Sequence, residues 1–170
     1  MPEMKNILFA TDLSPNTSSY AFSYAVDMAQ SHNASIVILH VVEKQHNMSY
    51  AGSMVEAAMR GARKQEQEKS REEIKKDVEM FCKKVEEQIC MPCLEMISKI
   101  LVPIGNPVEE ILKVADEESC DALVLGVHKK GFLLNALLGH VASSVLEKSK
   151  KPVFIIPLPS EKVYAEQIQI

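Results

Sequence analysis

The stretch DALVLGVHKKGFLLNALLGHVASSVLEKSKKPVFIIP, residues 121–157, decides the fold. It opens with a short apolar run, DALVLG (121–126), that stops at a glycine. A glycine-punctuated loop follows over 127–139, then a helix-like run, HVASSVLEKSKK (140–151), and a second apolar run, PVFIIP (152–157). Strand, glycine loop, helix, strand is the order of a parallel crossover unit, because parallel neighbours cannot be joined by a tight turn. In open parallel sheets ligands sit beyond the carboxyl ends of the strands, on the loops and helix N-termini found there. A helix N-terminus offers unpaired backbone N–H groups and the positive end of the helix dipole, both suited to phosphate. A small-molecule site is therefore expected around residues 126–140.

Upstream, residues 4–10 (MKNILFA) predict a first strand, which runs into Thr11, Asp12, Leu13, Ser14 and Pro15. Ser14 followed by Pro15 reads as an N-cap with proline at the first helical position. The helix expected over 15–31 places Ala21, Tyr24, Ala25, Met28 and Ala29 on one face and ends at His32 and Asn33. Residues 35–42 (SIVILHVV) form a nearly continuous apolar run, as a strand covered on both faces requires. His40 within that run reads as a core histidine. Asp12, where the first strand ends, reads either as a polar anchor for a ligand or as a loop carboxylate bonded to nearby backbone N–H groups.

Residues 43–73 look like an excursion from the regular pattern, loop-like as far as about 61 and then highly charged. A long helix is expected from 57 to about 90, with Ile74, Val78, Phe81, Val85 and Ile89 on its inner face and Pro92 closing it. Its mixed-sign outer face reads as solvated. Residues 94–103 predict a third strand. Gly105, Asn106 and Pro107 form a turn that starts a helix over 108–118, with Ile111, Leu112, Val114 and Ala115 inward. The tail, 158–170, carries no packing signal. The alternation predicts an α/β fold: a doubly wound, five-stranded parallel sheet with helices on both faces and right-handed crossovers. Length and pattern together predict one domain over 1–170.

Composition narrows the function classes. Hydrophobic residues make up 46% of the 170, which fits a globular core and argues against disorder. A net charge of -4 argues against a nucleic-acid binder, which normally carries a basic surplus. No apolar run approaches the roughly 20 residues that span a bilayer, and the N-terminus does not read as a signal peptide. The expected location is the cytoplasm, with no membrane partner. The C-x-x-C of Cys90 and Cys93 follows a helix instead of opening one, and no second ligand pair accompanies it. It therefore reads as reduced thiols in preference to a redox pair or zinc site, and no metal site is expected.

Taken in order, KNILFATDLSP, SIVILHVVE, IGNPVEEILKVADEESCDALVLG and LLGHVASSVLEKSKKPVFIIP resemble the universal stress protein family over nearly the whole chain. The resemblance implies an adenine nucleotide alpha hydrolase-like fold. Members that bind ATP carry G-x-x-G, nine residues, then glycine and a hydroxyl. Gly126 and Gly139 hold the first and last glycine positions here, but Lys129 stands at the second glycine and His140 at the hydroxyl. A further small hydroxyl position is Ala142. If a nucleotide binds as in the family, Ala10, Thr11 and Asp12 flank the adenosine and the backbone at Val41 or Val42 reads the adenine edge. Gly126, Lys129, Gly139 and His140 then surround the phosphates, with Ser143 as an additional candidate. The expected ligand is ATP, ADP or AMP, with magnesium only alongside bound nucleotide. No motif places a hydrolytic base, so no catalytic residue and no efficient turnover are expected. The resemblance also implies a homodimer through the edge strand 152–157. The alternative is a nucleotide-free dimeric interaction or chaperone-like protein acting on an unidentified protein partner.

Overall fold

In chain order the elements of the computed structural model are β1 (Asn6–Ala10), α1 (Thr17–His32), β2 (Ser35–Leu39), β3 (Val42–Glu43) and α2 (Met54–Ile89). There follow a 3-10 turn (Cys93–Met96), β4 (Ile97–Leu101), β5 (Ile104–Gly105), α3 (Pro107–Glu117), β6 (Ala122–His128), α4 (His140–Lys148) and β7 (Val153–Leu158). The structure describes residues 2–13, 17–43, 54–128 and 139–158, with 17 and 54–70 described by backbone alone. Five strands form one parallel sheet in the order β4-β2-β1-β6-β7. This is the expected α/β architecture.

The period-two alternation of the strands sorts their side chains into two cores. Ile7, Phe9, Ile36, Ile38 and Val124 face α1 and α2, where they meet Phe22, Ala25, Val26, Val78, Cys82 and Val85. Leu8, Val37, Leu39, Leu123 and Leu125 face α3 and α4, where they meet Val108, Ile111, Val114 and Val145. Helices therefore cover both faces, and this explains why the strands read as unbroken apolar runs. The first core is aromatic at its centre: the Phe22 ring lies 5.1 Å from that of Phe9 and 5.6 Å from that of Phe81. Among the described residues no helix is long and apolar enough to cross a membrane.

Several boundaries differ from the sequence reading. The apolar run 35–42 is not one strand. The His40 N–H still bonds the Leu101 carbonyl, but the chain then leaves the sheet and β3 pairs with β5 in a separate two-stranded ribbon. The third strand begins only at Ile97, because a 3-10 turn occupies 93–96. The long helix starts at Met54, so it takes in much of the expected excursion; residues 44–53 lie outside the described residues, as do Ser14 and Pro15. Its end is set at Cys90, which adopts the left-handed conformation (φ 52°), and not by Pro92 two residues later. The last helix stops at Lys148 instead of 151. Tyr24, expected on the buried face of α1, is 43% exposed, and Phe22 and Val26 take the inner positions. Leu158 belongs to β7 and is buried; the remainder of the tail lies outside the described residues.

Cys82 and Cys93 are packed in the core that faces α1 and α2, Cys90 is exposed just past the end of α2, and Cys120 is buried in the core that faces α3 and α4. Cys82 and Cys93 are buried, and burial pushes their thiols up to about 12 and about 11. A redox C-x-x-C needs a lowered thiol pKa, so Cys93 has the opposite environment.

Candidate functional site

The strand order reverses direction at β1: the chain steps to β2 on one side and later returns to β6 on the other. Loops leaving the carboxyl ends of β1 and β6 therefore diverge, and a crevice opens between them. A cavity of about 670 Å³ lies there, within the size range of small-molecule sites. The end of β1 contributes Ala10, Thr11 and Asp12, and the end of β6 contributes Leu125 to His128. The segment after β2 adds His40, Val41 and Glu43, α3 adds Pro107 and Ile111, and the first turn of α4 adds Gly139 to Ala142.

A chain of side-chain hydrogen bonds fixes the β1 wall. The Thr11 Oγ1 accepts the Leu13 N–H at 3.0 Å and donates to the Ser18 Oγ at 3.0 Å. Ser18 donates in turn to the Asp12 Oδ1 at 3.2 Å. The His128 Nε2 donates to the other Asp12 oxygen, Oδ2, at 3.3 Å and so joins the ends of β1 and β6 across the crevice. Leu13 is held at φ 60°, an unfavourable conformation for a bulky side chain. The Thr11 carbonyl accepts from the His40 Nδ1 at 2.8 Å; a carbonyl has no proton to give, so the imidazole is the donor. His40 is thus hydrogen-bonded, as expected of a core histidine, yet it also forms part of the cavity wall.

The N–H groups of His40 and Val42 both turn toward β4 and β5, bonding the Leu101 and Pro103 carbonyls. Val41, between them, lines the cavity. Across the cavity, Gly139 is the N-cap of α4 and brings no side chain to cap its N–H groups. A Cβ built on Gly139 would meet nothing within 4 Å among the described residues, and its φ of -58° suits any residue. Neither packing nor strain in the described chain requires glycine there. Gly126 differs: a Cβ there would lie 3.0 Å from the Ala21 Cβ on α1, so close strand–helix packing favours glycine.

The structure thus brings Ala10, Thr11, Asp12, Val41, Gly126, Gly139 and His140 to one cavity. Val42 sits beside it in β3, with its N–H in the ribbon ladder. Ser143 is an exposed residue of α4 whose N–H bonds the Gly139 carbonyl. Lys129 lies outside the described residues. The sequence reading did not single out Ser18, His128 or Glu43, and treated His40 as core alone. Among the described residues no cluster of three or more potential metal ligands occurs.

The model of the universal stress protein family matches residues 3–157. Universal stress protein MJ0577 of Methanocaldococcus jannaschii is 28% identical over 159 residues, covering 89% of this chain and 94% of its own. Among solved structures, a universal stress protein in complex with cAMP shares the fold with a TM-score of 0.60 at 19% identity, over 93% of this chain and 100% of its own. The universal stress protein from Archaeoglobus fulgidus in complex with dAMP does so with a TM-score of 0.55 at 17% identity, over 93% and 100%.

Proposed function

The chain belongs to the universal stress protein family, and from that premise we propose that its carboxyl-edge cavity binds an adenine nucleotide without efficient hydrolysis, in a cytoplasmic stress-response or signalling role. The observation that carries this reading is the cavity itself: about 670 Å³ at the β1/β6 switch point, with Ala10, Thr11, Asp12, Val41, Gly126, Gly139 and His140 of the expected residues in its wall. Structural relatives are complexes with cAMP and dAMP. Asp12 and the backbone of Val41 lie at the adenosine end of this reading. The uncapped first turn of α4, with Gly139 and His140, lies at the phosphate end, where Lys129 would add charge. Among the described residues nothing would obstruct a Cβ at Gly139, and a phosphate could approach the backbone there. Magnesium would enter only with the nucleotide.

The test is mass spectrometry of ligand released from freshly purified protein, with calorimetric titration of ATP, ADP and AMP. The expected result is a recovered adenine nucleotide and a measurable heat that Gly139→Val reduces at least tenfold while the melting temperature holds. Absence of both would overturn the reading in favour of a nucleotide-free interaction protein.

β7 supports a second proposal, homodimerisation. Among the described residues it pairs with β6 on one side only and stands at the sheet edge, with Val153 to Ile156 partly exposed. An edge with apolar side chains on both faces is suited to pair with a second copy. Light scattering at micromolar concentration should give twice the 18.9 kDa chain mass; a monomer would overturn it.

A further inference from the structure

We infer that Ser18 is a positioning residue of the cavity, holding the Asp12 carboxylate in the orientation that meets the ligand. The ligand half of this inference rests on the nucleotide reading above; the Ser18–Asp12 half does not. Ser18 is 4% exposed and is the buried polar side chain among the described residues. A buried hydroxyl is costly unless paired. Both of its roles are filled, and in one direction: it accepts from Thr11 and donates to Asp12. A serine in the first turn of a helix ordinarily serves the helix's own N–H groups. Ser18 instead reaches back from α1 to the turn that follows β1, where Thr11 also holds the strained Leu13.

Asp12 carries the relay to solvent, its side chain being 59% exposed at the cavity wall. Without Ser18 its carboxylate would lose the bond that fixes Oδ1, and more of its rotamers would be populated. A carboxylate oriented in advance spares a ligand the cost of ordering it, and restoring that cost for one side chain corresponds to about a two- to tenfold change in affinity. The ligand group it meets is a hydrogen-bond donor, because an ionised carboxylate only accepts. A sugar hydroxyl of the nucleotide has that chemistry.

The experiment uses the full chain with AMP as the titrant, in a cycle of Ser18→Ala, Asp12→Ala and the double variant. Ser18→Ala should weaken AMP about two- to tenfold and cause no further loss on the Asp12→Ala background, where no acceptor is left for it to orient. Ser18→Thr, which keeps the hydroxyl, should restore most of the affinity, and Thr11→Val should reproduce the loss. Equal losses from Ser18→Ala on both backgrounds would overturn the assignment. A ligand-independent readout is the Cε1 resonance of His128 at fixed pH. Ser18→Ala should displace it in the direction that Asp12→Asn does, and an unmoved resonance would overturn the coupling. A displaced resonance in a protein that binds no AMP would sink the nucleotide reading while supporting the hold of Ser18 on Asp12.

Discussion

Asp121 and Asp12 stand at opposite ends of the same central strand, and they are used in opposite ways. At the amino end of β1, the Asp121 Oδ2 accepts the backbone N–H of Lys5 at 2.7 Å and of Asn6 at 3.0 Å, while its own N–H bonds the Asn6 carbonyl at 2.7 Å. Its partners are main chain, fixed by the sheet. At the carboxyl end, Asp12 is held by the side chains of Ser18 and His128, on the wall of the cavity. Side-chain partners can exchange for a ligand; a strand's own N–H groups cannot do so without opening the sheet. The difference teaches that a carboxylate whose bonds include movable side chains can be drawn on by a ligand, whereas one clamped to strand N–H groups serves the sheet.

The largest effect that would sharpen this comparison is on stability at the closed end. Asp121→Ala removes two charge-assisted bonds and strands two N–H groups, a loss of about 3 kcal/mol in urea unfolding. The Asn6 N–H, then the Lys5 N–H, hold the Asp121 carboxyl below the ordinary carboxylate range. A folded-state pKa below the unfolded one means that the ionised form is stabilised by folding. That stability is fully present above the unfolded value of about 3.9 and is lost as pH falls through the lower, folded one. The gap between the native chain and Asp121→Asn should therefore be constant from pH 7 to 5 and close below about pH 4. A gap that persists undiminished at pH 3 would show that charge plays no part in the clamp.

The same contrast explains what the sequence could and could not convey. The sheet was legible because strands buried on both faces leave unbroken apolar runs, and glycine loops separate them from helices. Strand ends were less so: the run through His40 stays apolar past the point where the backbone turns into the β3–β5 ribbon, since the cavity wall is apolar too. Gly126 and Gly139 look alike in a motif, yet one answers to the Ala21 methyl and the other to no neighbour among the described residues. The relay of Thr11, Ser18, Asp12 and His128 leaves no spacing signature. It depends on the phase at which α1 starts relative to β1 and on how far β6 extends beside it. The position of Asp12 could be read from the strand boundary; its partners required the packed structure.

The smallest effect on stability is expected at the open end, and it is the one that separates the two carboxylates most sharply. Asp12→Asn keeps the side chain's shape and one oxygen to accept from Ser18, and removes the charge that faces His128. Asp12 is 59% exposed and His128 43%, so their pairing is screened by solvent and its loss should cost under about 1 kcal/mol in unfolding free energy. AMP affinity should nonetheless fall about tenfold, because an amide oxygen accepts more weakly than a carboxylate and the side chain loses the His128 side of its hold. Urea melts and AMP titrations of Asp12→Asn and Asp121→Asn, run side by side, give four numbers. The comparison holds if Asp12→Asn moves affinity and barely moves stability, while Asp121→Asn does the reverse. It breaks if Asp12→Asn unfolds the protein as readily as Asp121→Asn does, for then the turn after β1 would be as structural as the clamp before it, and the cavity wall would owe its shape to folding alone.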